Sequence, residues 1–88
     1  MVGIGDPAEQ AKACLDNLSG VIGVHGFAPS DLRQITIYVV GEHQHLLDAR
    51  DAVTGWFTGG VPPATLLGVN VLGYSQQLVE IDATIVRA

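Results

Sequence analysis

Residues 79–85 alternate without interruption. Val79, Ile81, Ala83 and Ile85 fall on one parity; Glu80, Asp82 and Thr84 fall on the other. A β-strand points successive side chains to opposite faces, so it alone sorts such a run into an apolar and a polar side. A strand of this kind needs a sheet to join and a layer to cover its apolar side. Both must come from a chain of 88 residues, enough for one domain with a modest core.

The remaining segments supply them. Asp6-Pro7-Ala8-Glu9 is a helix start: Asp6 caps, Pro7 suits the first position and Glu9 completes a capping box. Ala11, Leu15, Leu18 and Ile22 follow at helical spacing, and His25-Gly26 reads as the stop, giving a helix of roughly residues 7–24. Residues 33–40 are rich in β-branched side chains, with Ile35, Ile37 and Val39 facing one way and Thr36 and Tyr38 the other. Leu46, Ala49, Val53, Trp56 and Phe57 form a second helical stripe starting near Glu42 or His43. Gly59-Gly60 ends it, and Pro62-Pro63 prevents its continuation. Two strands follow, roughly residues 64–72 and 77–87, separated by a Gly73-Tyr74-Ser75 break.

The order α-β-α-β-β predicts an α+β domain with a small mixed sheet and both helices on one face. Thr36, Tyr38, Glu80, Asp82 and Thr84 are then left on the other face, mixed with apolar residues. Only 15% of the residues are charged, a small share for a domain with so much surface. Both features point to a face covered by further copies of the chain.

The net charge of −5 makes nucleic acid and anionic membrane poor partners. Lys12, Arg33, Arg50 and Arg87 are scattered and form no basic stripe. The one cysteine, Cys14, has no intrachain partner, which fits a reducing, cytoplasmic setting. No apolar run is long enough to span a bilayer, and the start lacks the pattern of a secretory leader.

Several short motifs resemble, in order, those of the RidA/YjgF family of imine and enamine deaminases. They are Gln10-Ala11, Leu15-Asp16-Asn17-Leu18, Ser30-Asp31-Leu32, Thr36-Ile37-Tyr38-Val39, Pro63-Ala64 and Val79-Glu80-Ile81. The resemblance implies a fold similar to Bacillus-type chorismate mutase, a homotrimer with sheets packed centrally and small-molecule pockets between subunits. It implies hydrolysis of imines or enamines to carbonyl compounds and ammonia, with no metal or organic cofactor. It implies Glu80 as the catalytic carboxylate that positions or activates water, and substrate contacts at Thr65, Leu67 and Arg50. Two departures stand out. The family's carboxylate-binding arginine is replaced by Thr65. The family's N-terminal β-hairpin, which supplies sheet edge and part of the pocket, has no counterpart before Asp6. Without that hairpin a neighbouring strand edge is expected to stand open.

Each candidate has a plainer reading. Glu80 is either a pocket acid, its pKa raised by confinement, or a solvated strand carboxylate. Thr65 is an ordinary β-former that offers one hydroxyl where arginine offers a charged fork. Losing that fork costs on the order of 1.5–3 kcal/mol, roughly tenfold to a hundredfold in carboxylate binding. Arg50 either replaces the lost cation or pairs locally with Glu42, Asp48 or Asp51. Asp82 shares a face with Glu80 and lines either a site or a subunit seam. His43 and His45 are expected in a solvated loop rather than around a metal, and Cys14 is expected to pack.

Overall fold

The computed structural model describes residues 2–86. Helix α1 spans Pro7–Val24. Asp6 accepts a hydrogen bond from the Glu9 N–H at 3.1 Å, and Pro7 occupies the first turn. Gly26 takes φ +83°, a conformation glycine adopts without strain, and closes the helix. The Phe27 N–H then reaches the Ile22 carbonyl at 2.9 Å and the Gly26 N–H reaches Gly23 at 3.1 Å, the paired bonds of a glycine-terminated helix.

A short 3-10 turn, Pro29–Asp31, leads into strand β1, Leu32–Val40. Helix α2, His43–Trp56, follows, then strands β2, Ala64–Val69, and β3, Val79–Ile85. The sheet order is β2-β1-β3, with β2 parallel and β3 antiparallel to β1. A parallel pair needs a crossover connection, and α2 with its loops supplies it. The α+β class and the mixed sheet are therefore as the sequence implies. No described helix is long and apolar enough to cross a membrane.

Both helices lie on one face. α1 packs over β3, α2 over β1 and β2, and the two helices pack on each other. Ala11 and Leu15 of α1, Ala49 and Val53 of α2, and Ile35, Ile37, Val39 and Val79 of the sheet form the buried core. The Trp56 indole N–H donates to Asp16 at 2.9 Å across the helix pair, and the Phe57 ring stands edge-on to Trp56.

Element ends differ from the sequence reading for local reasons. β2 stops at Val69 rather than Leu72, because its partner β1 ends at Val40, where Gly41 turns at φ +115°. β3 begins at Val79 rather than Gln77, because the Gln77 N–H is taken by the Tyr74 carbonyl in a turn. The end expected for this strand at Arg87 lies outside the described residues. α2 ends at Trp56, before the glycine pair, as Phe57 turns extended at ψ 110° and joins the core margin. His43 and His45 open α2, at the start the second stripe implies, rather than lying in a solvated loop. The His45 ring folds back to within 3.1 Å of the Val40 carbonyl, over Gly41, where a side chain on residue 41 would collide with it.

Candidate functional site

The two closing strands are not neighbours, since β1 runs between them. Register then fixes which polar residues meet on the sheet face away from the helices. Thr65, Thr36 and Asp82 form one rung, and Leu67, Tyr38 and Glu80 form the next. Two strand spacings across and two residues along separate Thr65 from Glu80 by about 12 Å between Cα atoms. At that separation the two side chains do not bond directly.

On this face Thr65, Leu67, Glu80 and Asp82 are exposed, while Thr36 and Tyr38 are half-buried. The partial cover expected over Glu80 is therefore absent within a single copy of the chain. The rungs carry two carboxylates, two threonine hydroxyls and one phenol, with no lysine or arginine among them. Such a face attracts cations and hydrogen-bond donors.

Tyr38 is the side chain most affected by its neighbours. Hydrogen bonding to Asp82 and the charge of that carboxylate raise its phenol above the ordinary value, and Glu80 adds a lesser push. The Asp82 contact stabilises the protonated phenol. That contribution is whole below the unfolded phenol's pKa of about 10 and is lost as pH rises through the higher folded value. Ultraviolet titration of the tyrosinate band on a Tyr74→Phe background should show Tyr38 ionising late. Asp82→Asn should bring it back toward the ordinary range, and an unmoved titration would remove the contact.

Arg50 is not brought to this face. It sits exposed on α2, in the layer on the other side of the sheet, and pairs with Asp51 at 3.1 Å. Cys14 is half-buried under β3, its thiol 3.7 Å from the Val79 carbonyl. Burial, and then the Glu80 charge, push this thiol up, partly offset by a hydrogen bond from the Ile81 backbone. Among the described residues no group of histidine, cysteine and carboxylate side chains is arranged to hold a metal. A hollow of about 490 Å³ lies elsewhere, between Pro29, Ser30, Phe57, Thr58 and Pro62, and includes none of the rung residues.

Sequence reasoning missed the part played by Gln10. This side chain is buried on α1 with its amide fully used. Its Oε1 accepts from Leu78 N–H at 2.7 Å and Val79 N–H at 3.3 Å; its Nε2 donates to the carbonyls of Gly3 and Gln76, each at 3.1 Å. The clamp fixes the backbone entering β3, one residue before Glu80. The signal was a polar residue next to Ala11 on an apolar helix stripe, where a buried amide must find partners.

The same frame occurs in solved proteins. YyfB from Yersinia pestis, a Rid-family protein of unknown function, aligns at TM-score 0.82 and 28% identity, over 97% of this chain and 65% of its own. PA3499 from Pseudomonas aeruginosa, also of unknown function, aligns at TM-score 0.81 and 28% identity, over 89% of this chain and 56% of its own. The chain thus spans less than two thirds of the length of either. A search of curated proteins finds no match. The sequence itself matches the Endoribonuclease L-PSP profile over residues 1–87. A match over nearly the whole chain, joined to the shared helix-and-sheet frame, makes it a member of that family, the RidA/YjgF family.

Proposed function

We propose that the chain hydrolyses small imines or enamines that lack a carboxylate, in pockets formed where the open sheet faces of three copies meet. The observation that carries this reading is the composition of the two rungs, which hold Glu80 and Asp82 and no lysine or arginine; by the resemblance, Thr65 takes the place of the family's arginine. A protonated imine is a cation, and Glu80 and Asp82 attract it. Glu80 orients a water toward the imine carbon. The water oxygen bonds to that carbon, its two protons pass to nitrogen, the C–N bond breaks, and a carbonyl compound and an ammonium ion leave. The sum balances with water alone. A 2-imino acid is a poorer substrate, because its carboxylate meets two like charges and no guanidinium.

The runner-up reading is a trimeric binding or regulatory module without turnover, and Thr65 is the residue that favours it. Ribonuclease activity, which the family's description mentions, fits less well, since the acidic rungs repel phosphates.

Thr65→Arg tests the reading. Restoring the fork should improve kcat/KM for a 2-imino acid generated in situ by roughly tenfold to a hundredfold, read as ammonia release. A folded trimeric variant with no gain would mean that Thr65 does not face the substrate carboxylate. Binding of a small amine with no ammonia from any imine would favour the module reading.

A further inference from the structure

Tyr38 stands at the centre of the rungs, and its reach makes the two carboxylates beside it unlike each other. β1 is the middle strand, so Tyr38 has Leu67 on one side and Glu80 on the other. Asp82 is its diagonal neighbour, opposite Thr36 and two residues further along β3. Diagonal neighbours on a sheet face lie about 7–8 Å apart, within reach of an aromatic side chain. A phenol carries its hydroxyl at the far end of a rigid ring, so it passes the residue directly opposite and meets the diagonal one. The Tyr38 hydroxyl accordingly bonds to Asp82, while Glu80 acts on it through charge alone.

The Glu80 carboxylate has no hydrogen-bond donor among the described residues. On the other flank of Tyr38, Thr65 and Leu67 of β2 carry no charge. One acid of the face is therefore tied and the other is free to turn. The tie is a neutral one. An arginine in this place would hold a carboxylate and cancel its charge, whereas a phenol orients it and leaves the whole charge for a ligand.

We propose that Tyr38 is a positioning residue that holds Asp82 as the fixed anion for the substrate's protonated nitrogen, leaving Glu80 to handle the water. The inference rests on imine hydrolysis at this face. A carboxylate has lone pairs for several donors, so Asp82 accepts the phenol hydrogen and the substrate N–H together. Glu80 takes each proton of the attacking water in turn and returns it to nitrogen, and the tied pair ends the cycle unchanged.

Tyr38→Phe keeps the ring and removes the hydroxyl. For a carboxylate-free imine the variant should raise KM roughly tenfold, with the larger share of its loss in KM rather than kcat. Methylguanidinium, a planar cation that stays charged at high pH and cannot be hydrolysed as an imine, should bind more weakly by a similar factor in a calorimetric titration. A second readout keeps the hydroxyl in place. On the Tyr74→Phe background, saturating methylguanidinium should offset the Asp82 charge and let Tyr38 ionise at lower pH in the ultraviolet titration. Asp82→Asn should abolish that displacement even if Tyr38→Phe fails to fold. No binding of methylguanidinium, equal binding by wild type and Tyr38→Phe, or a Tyr38 titration indifferent to the cation would overturn the proposal, whatever the ammonia assay shows. Binding that needs the hydroxyl, with no ammonia from any imine, would uphold the hold of Tyr38 on Asp82 and remove the hydrolytic reading beneath it.

Discussion

Glu80→Gln should lower ammonia release from a carboxylate-free imine by roughly 10²–10⁴-fold, the range of general acid–base catalysis. The replacement keeps the shape of the side chain and removes only its ability to hold a proton or orient water as an anion. Glu80 is exposed in the single chain and sits mid-strand opposite Tyr38, so the fold should hardly notice. Exposed substitutions of this kind usually shift stability by less than about 0.5 kcal/mol. The loss should therefore fall on kcat with an unchanged melting temperature. Full activity in the variant would take the chemistry away from Glu80 altogether. Asp82→Asn is the informative companion: a loss comparable to that of Glu80→Gln would make the two carboxylates a working pair.

Gln10→Ala is expected to be the most damaging polar substitution in the chain. It removes four hydrogen bonds and leaves the N–H groups of Leu78 and Val79 without their acceptor. Each buried donor left unsatisfied costs roughly 1–3 kcal/mol. A loss of about 3 kcal/mol is a large part of the 5–15 kcal/mol that holds a typical domain together. For a chain of this size it lowers the melting temperature by roughly 12–24 °C. The turn before β3 should suffer most, because Gln76 there holds φ +66° and its carbonyl is bonded to Gln10. Gln10→Glu separates shape from bonding: it keeps the acceptor for Leu78 and Val79 but sets an anion against the Gly3 and Gln76 carbonyls. Thermal unfolding followed by circular dichroism checks both variants, and wild-type stability in Gln10→Ala would show that water replaces the clamp.

The two helices and three strands were legible because periodicity is local. Pro7, Gly26 and the alternation from Val79 to Ile85 declare themselves within a few residues. Strand order was not legible, since nothing in residues 64–85 says that β1 will come between them. That ordering decides the face: it sets Thr36 and Tyr38 between Thr65 and Glu80. Arg50 shows the limit from the other side. Its number of residues from Thr65 said nothing about layer, and α2 carries it to the far side of the sheet. The sequence places His45 at a helix start, but its ring's partner, the Val40 carbonyl, lies across a glycine turn that leaves no mark in the hydropathy pattern.

The most direct measurement compares two substrates on the wild-type chain. One is a carboxylate-free imine generated in situ by oxidation of a simple amine; the other is a 2-imino acid generated the same way from an amino acid. Ammonia release is followed against the uncatalysed rate at equal substrate concentrations. If Glu80 acts without the family's arginine, the carboxylate-free imine is hydrolysed well above background and the 2-imino acid lags behind it by roughly tenfold or more. Efficient hydrolysis of the 2-imino acid, with the carboxylate-free imine left at background, would contradict it and require a carboxylate-binding cation from outside the two rungs.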